Sequence, residues 1–455
     1  MIFNRHVLAT ALACAAWCET ARAQEAGGSN SPTFVQPTIS DPMLAPPEAA
    51  PAEVHSWDDA IGMMQRSPEF LVGVDAVKRT LAQHRIALAG VLPTLYAAGQ
   101  FVHNFNVLSI VIDNIPIVSP PPTVWSIGAT LSWNILNPRA IYGLGTADLN
   151  TEVANLSLAD RRRVLAASVV AAMLSTLAAG RVAELDRVGL RAALERLELT
   201  QTRLKFARGT QLDIDRAQQD VAAARAQLIS GDESLRQARE NLGQALGSPT
   251  PLAAPSALDL EGFERAVAQT CHLGHDVEQR ADVAAARTRV ELAQRQINDA
   301  KLQFAPTLNV QSQAEAATAS TLGPTELWSV AATLTLPLYD GGIRYGAMRD
   351  AKAAADQAMQ DLAALRIQAM IENARAQRAI AVDTAERDVA QQQRDLAARV
   401  DQRTREGYAA GLGTSLDLVT SAQALRDAEI NLVLLQFQVA QARAGAVLVN
   451  AECVY

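Results

Sequence analysis

The sequence of 455 residues has few aromatic side chains and few cysteines. Phe, Trp and Tyr together make up 4% of the residues, whereas Ala, Gln, Arg and Leu are abundant. This mixture favours long helices that pack closely through small residues, because these residue types are good helix formers. Ordinary globular domains are therefore a poor expectation for this chain.

Motifs for catalysis and for cofactors are also missing. The sequence has no His-Glu-x-x-His, no phosphate-binding glycine loop and no Gly-x-Ser-x-Gly. The tightest group of potential ligands, Cys271-His272-Leu273-Gly274-His275, lacks the second cysteine of a haem attachment site. It also lacks the further ligands that a zinc site needs. We expect neither an enzyme nor a protein with a metal or cofactor.

No tract of basic residues occurs in the chain. The formal net charge is −8, with 40 Lys and Arg against 48 Asp and Glu. Nucleic acid and anionic lipid surfaces are therefore poor candidates as partners.

The first 23 residues have the pattern of a secretory signal peptide. Arg5 is followed by an apolar run, and Ala21-Arg22-Ala23 forms a small-x-small cleavage site. The apolar run is too short to cross a bilayer, which disfavours the alternative of an anchoring helix. Cleavage before Gln24 is expected, because Trp17 before Cys18 does not suit a lipoprotein signal. We expect no apolar helix of 18 residues in the mature chain.

Cleavage would leave Cys271 and Cys453 as the only cysteines, in an oxidising compartment. They form either one disulfide or two unpaired buried thiols, and the sequence does not decide between these.

The mature chain contains a duplication. Trp125-Ser-Ile-Gly-Ala-Thr-Leu-Ser132 matches Trp328-Ser-Val-Ala-Ala-Thr-Leu-Thr335, and two shorter matches keep the same order. The expected units are a first repeat at 53–247 and a second at 276–455, joined by a linker at 248–275. Residues 24–52, rich in Pro, Ser, Ala and Glu, are expected to be an extended tether.

Each repeat is expected to contain two strands. In 124–136 and 328–338 apolar residues alternate with small polar ones, and 307–316 alternates in the same way. A period of two places one face in an apolar medium and the other in a polar medium. Runs of this length can cross a bilayer, and Trp125, Trp133 and Trp328 suit an aromatic girdle. Four strands cannot close a membrane barrel, so several chains would have to share one.

Helices are expected at 57–91, 147–206, 211–246, 276–303, 344–406 and 414–450. Several have heptad spacing, as in Leu418, Leu425 and Leu432, which is typical of coiled-coil seams. At 1.5 Å per residue the longest would be roughly 95 Å, about the length of two shorter helices placed end to end. The fold class is therefore a mixed α and β membrane protein with a long helical tunnel.

These features together resemble the TolC family of outer-membrane efflux channels. The resemblance covers nearly all of 53–450 and rests on the duplication and on local patterns. These are Leu92-Pro-Thr-Leu95, Leu336-Pro-Leu-Tyr-Asp-Gly-Gly342 and Tyr408-x-x-Gly411-x-x-x-Ser415-x-Asp417. The resemblance implies a homotrimer in the outer membrane of a Gram-negative bacterium, with a twelve-stranded barrel and a periplasmic helical tunnel. It also implies passive conduction and two partners, a periplasmic adaptor and an inner-membrane transporter.

The resemblance further implies a gate at the periplasmic tip. Tyr408 and Asp417 match the family's aperture residues, and Asp213 takes the equivalent place in the first repeat. Gly413 replaces a family arginine and Thr420 a second aspartate, so one latch interaction is in doubt.

Elementary chemistry offers a further role for these residues. Aspartates that face a pore form a ring that attracts cations, whereas Asp213 and Asp417 can also be helix N-caps. The turn glycines Gly209 and Gly411 are expected to supply left-handed backbone conformations.

Two other classes remain as alternatives to a channel. A secreted trimeric coiled coil would place its strands at one end of the chain, and the strand pairs here lie between helices. A soluble periplasmic binding module would be extracted without detergent.

Overall fold

The computed structural model describes residues 39–455, except 113–114, 208, 256–258, 274–275, 320–324 and 454–455. The expected signal peptide at 1–23 and the first part of the tether lie outside these residues. Asp41–Tyr455 form one structural unit. The helices are α1 Trp57–Met64, α2 Pro68–Ala89, α3 Pro138–Lys205, α4 Gln211–Ala245, α5 Leu260–Thr270, α6 Ala281–Leu302, α7 Ile343–Ala409 and α8 Ser415–Leu448. The strands are β1 Ala52–Glu53, β2 Thr94–His103, β3 Leu108–Ile112, β4 Ile115–Ser119, β5 Thr123–Leu136, β6 Leu252–Ala253, β7 Cys271–Leu273, β8 Thr307–Ala317, β9 Glu326–Thr335 and β10 Ala451–Cys453.

Two helices, α3 and α7, run the length of the helical part. With 68 and 67 residues, each is about 100 Å long at 1.5 Å per residue. The side chain of Asn137 caps α3 by accepting from the amide of Ala140, and Pro138 occupies the first turn. The helix therefore begins at 138 and not at 147, because a proline in the first turn has no amide that needs a partner.

Shorter helices stack end to end along these two. Both α2 and α4 pack against α3, while α6 and α8 pack against α7. The end of α4 meets the start of α2 at Gly247, where a Cβ would lie 2.7 Å from Cβ of Ser67. The expected match between one long and two short helices is thus present.

The helix expected at 57–91 is two helices. The chain turns at Gln65 and Arg66, and the side chain of Ser67 then caps α2 ahead of Pro68. Proline disfavours helical backbone in the residue before it, which accounts for the break. The prediction of one continuous helix over 57–91 is therefore wrong, because the chain breaks between Met64 and Pro68.

The four long strands form one antiparallel sheet in the order β2-β5-β8-β9. The first repeat supplies β2 and β5, and the second supplies β8 and β9. A further hairpin of β3 with β4, which the sequence pattern did not predict, extends the connection between β2 and β5.

The largest apolar core lies halfway along α3. Ala166, Val169, Val170 and Met173 are buried there against α1, α5 and the end of α8. The same stretch makes α3 the one helix, in the part of the chain that the structure describes, long and apolar enough to span a membrane by length and composition. The expectation that no such stretch exists was wrong. Its buried side chains belong to this core, and core helices pass the same test.

The linker expected at 248–275 folds onto this core. It contains α5, which buries Phe263 and Val267. Strand β7 follows α5 and pairs antiparallel with the C-terminal strand β10. Cys271 and Cys453 are opposite each other in that pair and are joined by a disulfide, with both residues buried.

Residues 41–52, inside the expected tether, lie along α3 and α4. The Asp41 carboxylate accepts from Arg225 at 2.8 Å, and Arg239 donates to the carbonyl of Glu48 at 2.8 Å. Met43 and Leu44 pack on a small apolar cluster between the two helices. Strand β1 then pairs in parallel with β6. The described part of the segment is docked on the helices, and Pro42–Leu44 form a 3₁₀ helix, so the expectation of an extended tether is wrong for these three residues.

Candidate functional site

The four-stranded sheet exposes its apolar face. Along β5, Trp125, Ile127, Leu131 and Trp133 are exposed, whereas the small polar residues between them are half-buried. Trp328 is 75% exposed on β9. A sheet of a water-soluble protein shows the opposite arrangement, with apolar side chains covered. The apolar face therefore suits a medium other than water.

The tryptophans lie on this face at two levels. Trp125 is near the end of β5 that points away from the helices, and its ring contacts that of Phe101 in a tilted arrangement with centroids 4.7 Å apart. Trp133 is near the helical end, where its indole donates to the carbonyl of Val91 at 3.1 Å. The two are about 27 Å apart along the strand at 3.4 Å per residue. Tilted by about 40°, that separation gives a height of about 21 Å, close to the roughly 25 Å apolar band of membrane barrels.

The other face of the sheet carries amides and hydroxyls. Asn309 donates to the hydroxyl of Ser132 at 3.0 Å and to the side-chain carbonyl of Asn134 at 2.9 Å. By the sheet register, Gln311 and Gln313 on the same strand and Thr333 and Thr335 on β9 share this face. This face suits water.

Both edges of the sheet lie in long strands. Within the described residues β2 and β9 each pair with one neighbour only. The backbone N–H and C=O groups along the outer edges of β2 and β9 have no hydrogen-bond partner in the described sheet. In a lipid environment each such group would cost several kcal/mol of free energy. The sheet is therefore incomplete as a single-chain unit.

The turn between α3 and α4 lies at the far end of the long helices. The side chain of Thr210 accepts from the amide of Asp213, and the Asp213 carboxylate accepts from the amide of Thr210, which is a reciprocal capping box. Ala207 has the left-handed backbone, with φ of 54°, and Gly209 does not. The expectation for Gly209 was therefore wrong.

The turn between α7 and α8 repeats this design. Thr414 and Asp417 form the second capping box. Gly411 has the left-handed backbone expected of it, with φ of 81°. A Cβ on Gly413 would lie 3.3 Å from the amide nitrogen of Tyr408, so this glycine allows the chain to fold closely over the last turn of α7.

Two contacts join the turns to each other. The Ser415 hydroxyl donates to the Asp213 carboxylate. Arg203 donates to the carbonyl of Tyr408 at 2.9 Å, and its guanidinium lies 4.2 Å from the centre of the Tyr408 ring. Tyr408 is buried by this stacking. The structure thus gives Asp213 and Tyr408 each a contact that joins the two turns.

Hydrogen bonds lower the pKa of both aspartates. The hydrogen bond from the Ser415 hydroxyl is the largest cause of the lowered pKa of Asp213. Burial raises this pKa by a smaller amount, and the hydrogen bonds from the Thr210 amide and hydroxyl lower it further. The pKa of Asp417 is lowered by the side chain and then the amide of Thr414. Both groups are therefore ionised at neutral pH. They occupy the third position of their helices, and the N-caps themselves are Thr210 and Thr414.

Sequence reasoning missed Arg203. Of the other arginines near the turns, Arg405 pairs with Asp401 at 2.7 Å, and Arg208 lies outside the described residues. Arg203 precedes the turn by one helical turn, and only the pairing of the two repeats brings it to Tyr408. A basic residue at the end of α3 was the available signal.

A buried charged cluster lies farther up the helices. Asp186 on α3 and Arg426 on α8 are both buried, and burial raises the pKa of Asp186 although Arg426 opposes this. Arg187 on α3 pairs with Asp232 on α4. These charges tie α3 to its neighbours.

The described part of the chain has no candidate metal-binding site. It contains no group of three His, Cys, Asp or Glu side chains arranged to hold a metal ion. Cys271 is in the disulfide, and His275 lies outside the described residues.

Comparison with known families gives one match that covers most of the chain. The model of the outer membrane efflux protein family matches twice, at residues 63–248 and 276–445. The two segments agree with the internal duplication. A search of curated proteins found no matching sequence.

Solved structures share the fold at low sequence identity. The outer membrane protein VceC of Vibrio cholerae is 18% identical, with a TM-score of 0.69 over 86% of this chain and 95% of its own. The CmeC outer membrane channel of Campylobacter jejuni is 13% identical, with a TM-score of 0.71 over 91% and 94%. The MtrE outer membrane channel of Neisseria gonorrhoeae is 18% identical, with a TM-score of 0.70 over 91% and 97%.

Proposed function

The chain belongs to the outer membrane efflux protein family, and from that premise we propose that three copies form one passive export channel across the outer membrane of a Gram-negative cell. The observation that carries this proposal is the incomplete sheet, with its apolar face exposed and both edges in long strands. The channel would carry out no chemical reaction.

Ring closure accounts for both features of the sheet. If β9 of one chain pairs with β2 of the next, every strand edge gains a partner and the backbone groups are satisfied within the bilayer. Three four-stranded sheets supply twelve strands, above the eight at which membrane barrels begin. The apolar face then contacts lipid, with the tryptophans at its two borders, and the polar face lines a water-filled lumen.

The helices would continue the lumen into the periplasm. Val382, Val389 and Leu396 form a heptad stripe along α7 and are exposed in the single chain. Such a stripe needs a helical partner, and a second copy provides one. The resulting tunnel would extend about 100 Å from the barrel, the length of α3 and α7.

The tip would act as the gate. The Ser415–Asp213 and Arg203–Tyr408 contacts hold the two turns of one chain together, while Asp417 caps α8 within its own turn. Three such pairs of turns around an axis would narrow the tunnel. A periplasmic adaptor and an inner-membrane transporter would engage this end and deliver the substrate. The structurally similar CmeC and MtrE proteins are outer membrane channels, which supports a channel role for this chain.

Membrane fractionation tests the proposal. We expect the mature chain in the outer-membrane fraction, extracted only by detergent, with a native mass of three chains. A control chain that lacks residues 94–136, and with them half of the sheet, should not insert. A monomer released with the soluble periplasmic proteins would contradict the proposal.

A further inference from the structure

Charge is nearly absent from the four-stranded sheet. The described strands β2, β5, β8 and β9 contain no Lys or Arg, and their carboxylates are Glu315 and Glu326 alone. Neither carboxylate has an ion-pair partner among the described residues. Their charges are therefore uncompensated within the sheet.

The two carboxylates lie at the same level on opposite faces. Glu326 is opposite Ala316, and Glu315 is opposite Leu327, one register step away. That step is about 3.4 Å along the strand. Glu326 shares the apolar face with Trp328, whereas Glu315 shares the polar face with Gln313, because side chains alternate along a strand.

We propose that Glu315 sets the charge preference of the barrel. The inference rests on the proposed function, in which the polar face lines the lumen and threefold symmetry turns Glu315 into a ring. The other side chains on the polar face of the described strands are amides, hydroxyls, small residues or apolar residues, and none carries a charge. The Glu315 ring therefore supplies the fixed charge that the four strands present to the lumen. It favours permeating cations over anions of the same size, as rings of acidic side chains do.

The size of the barrel makes this effect dependent on salt. Twelve strands spaced 4.8 Å apart and tilted by about 40° give a backbone radius of about 12 Å. The Debye length is about 10 Å at 0.1 M salt and about 3 Å at 1 M. The field of the ring thus reaches the axis at low salt and is screened at high salt.

Reversal potentials of purified channels in planar bilayers test the inference. The comparison uses the wild type, Glu315→Gln, Glu315→Asp and Glu326→Gln in KCl gradients centred on 0.1 M and on 1 M. At low salt we expect Glu315→Gln to lower the cation-to-anion permeability ratio at least twofold. Glu315→Asp, which keeps the charge, and Glu326→Gln, which removes a charge at the same level from the other face, should match the wild type.

At 1 M salt the permeability ratios of the four proteins should converge, because the field of the ring is screened. The tip aspartates are present in all four proteins and do not affect the comparison.

The outcomes separate this inference from the proposed function. Conducting channels in which Glu315→Gln keeps the wild-type ratio at 0.1 M, or in which Glu326→Gln causes the loss, overturn the inference and leave the channel intact. Wild-type trimers that insert without conducting contradict the proposed function and the inference with it. If Glu315→Gln fails to assemble, Glu315→Ser serves as the neutral variant and is held to the same criterion.

Discussion

At the tip, Arg203 contacts the ring and the backbone carbonyl of Tyr408. The described residues offer the Tyr408 hydroxyl no hydrogen bond, so the aromatic face is the part that the structure uses. This arrangement predicts which atoms of the tip matter.

We expect Arg203→Ala to loosen the two turns and Tyr408→Phe to leave them intact. The arginine variant loses a cation–π contact and a charged hydrogen bond, together about 1–3 kcal/mol of local stability. Hydrogen exchange of amides 407–413 measures the change. Equal loosening in Tyr408→Phe would show that the hydroxyl is essential and that this account of the tip is wrong.

The lowered pKa of Asp213 predicts how the tip responds to acid. Because its pKa is below the ordinary value of about 3.9, ionised Asp213 contributes stability that is present above that value. The contribution is lost as the pH falls through the lowered pKa. Exchange at the first turn of α4 should therefore increase in strong acid for the wild type.

Asp213→Asn should remove that pH dependence. Asp215→Asn is the matched control, since it changes the same charge in the same turn outside the capping box. Thr210→Ala, which removes the cap itself, should cost about 0.5–2 kcal/mol at neutral pH. If Asp215→Asn abolishes the pH dependence and Asp213→Asn does not, the capping assignment fails.

Some residue roles could be predicted from the sequence and others could not. Thr and Asp three positions apart at a helix start are local signals, so a capping role for Asp213 and Asp417 was within reach. The left-handed residue before α4 is Ala207, although Gly209 lies only two positions later. The φ of Ala207 depends on how α3 ends, and no residue type in the sequence indicates where a left-handed residue will fall.

Among the elements, the junction of α4 with α2 depends on Gly247. It has a φ of 72°, and a Cβ there would come within 2.9 Å of Cα of Ser67. We expect Gly247→Ala to destabilise the stacked helices by about 1–3 kcal/mol, from left-handed strain and overpacking. Thermal denaturation in detergent measures it.

Gly62→Ala is the control for this variant. Gly62 lies inside α1 with nothing closer than 4.0 Å to its Cβ position, so alanine should stabilise by about 0.5–1 kcal/mol. A Gly247→Ala protein as stable as the wild type would mean that the two helices do not meet as described.

The strands were the elements that the sequence predicted best. Period-two alternation in 124–136 reports two media directly, and β5 has those bounds to within one residue. The β3–β4 hairpin escaped prediction because the apolar residues from 107 to 118 do not alternate with polar ones. The sequence pattern did not predict that α3 begins at Pro138, because Gly143 and Gly145 weaken the helical pattern there. In the structure, the Arg295 side chain packs closely at Gly145.

At the scale of the whole molecule, the disulfide joins two segments far apart in sequence. Cys271 and Cys453 are 182 positions apart and fasten the C-terminal strand to the linker. Replacing both with serine should lower the free energy of unfolding by about 2–5 kcal/mol, as loss of a structural disulfide does. Chemical denaturation measures this, and thiol reduction of the wild type should give the same shift. An unchanged denaturation midpoint in both would show that the bond is not formed in the mature protein.

The sharing of one barrel by several chains stays a prediction, and its basis in the sequence is the small number of strands in each chain. Four strands cannot close a barrel, and the described chain indeed has two open edges and an exposed apolar face. The docking of residues 41–52 on α3 and α4 could not be foreseen, because its contacts with Arg225 and Arg239 are tertiary.

Single-channel conductance of the detergent-purified oligomer in a planar bilayer tests the central claim most directly. The account predicts discrete, cation-preferring steps in the wild type. It also predicts a changed conductance or open fraction in a channel that carries both Asp213→Ala and Asp417→Ala. An inserted oligomer that never conducts, in the wild type and the double variant alike, would contradict it.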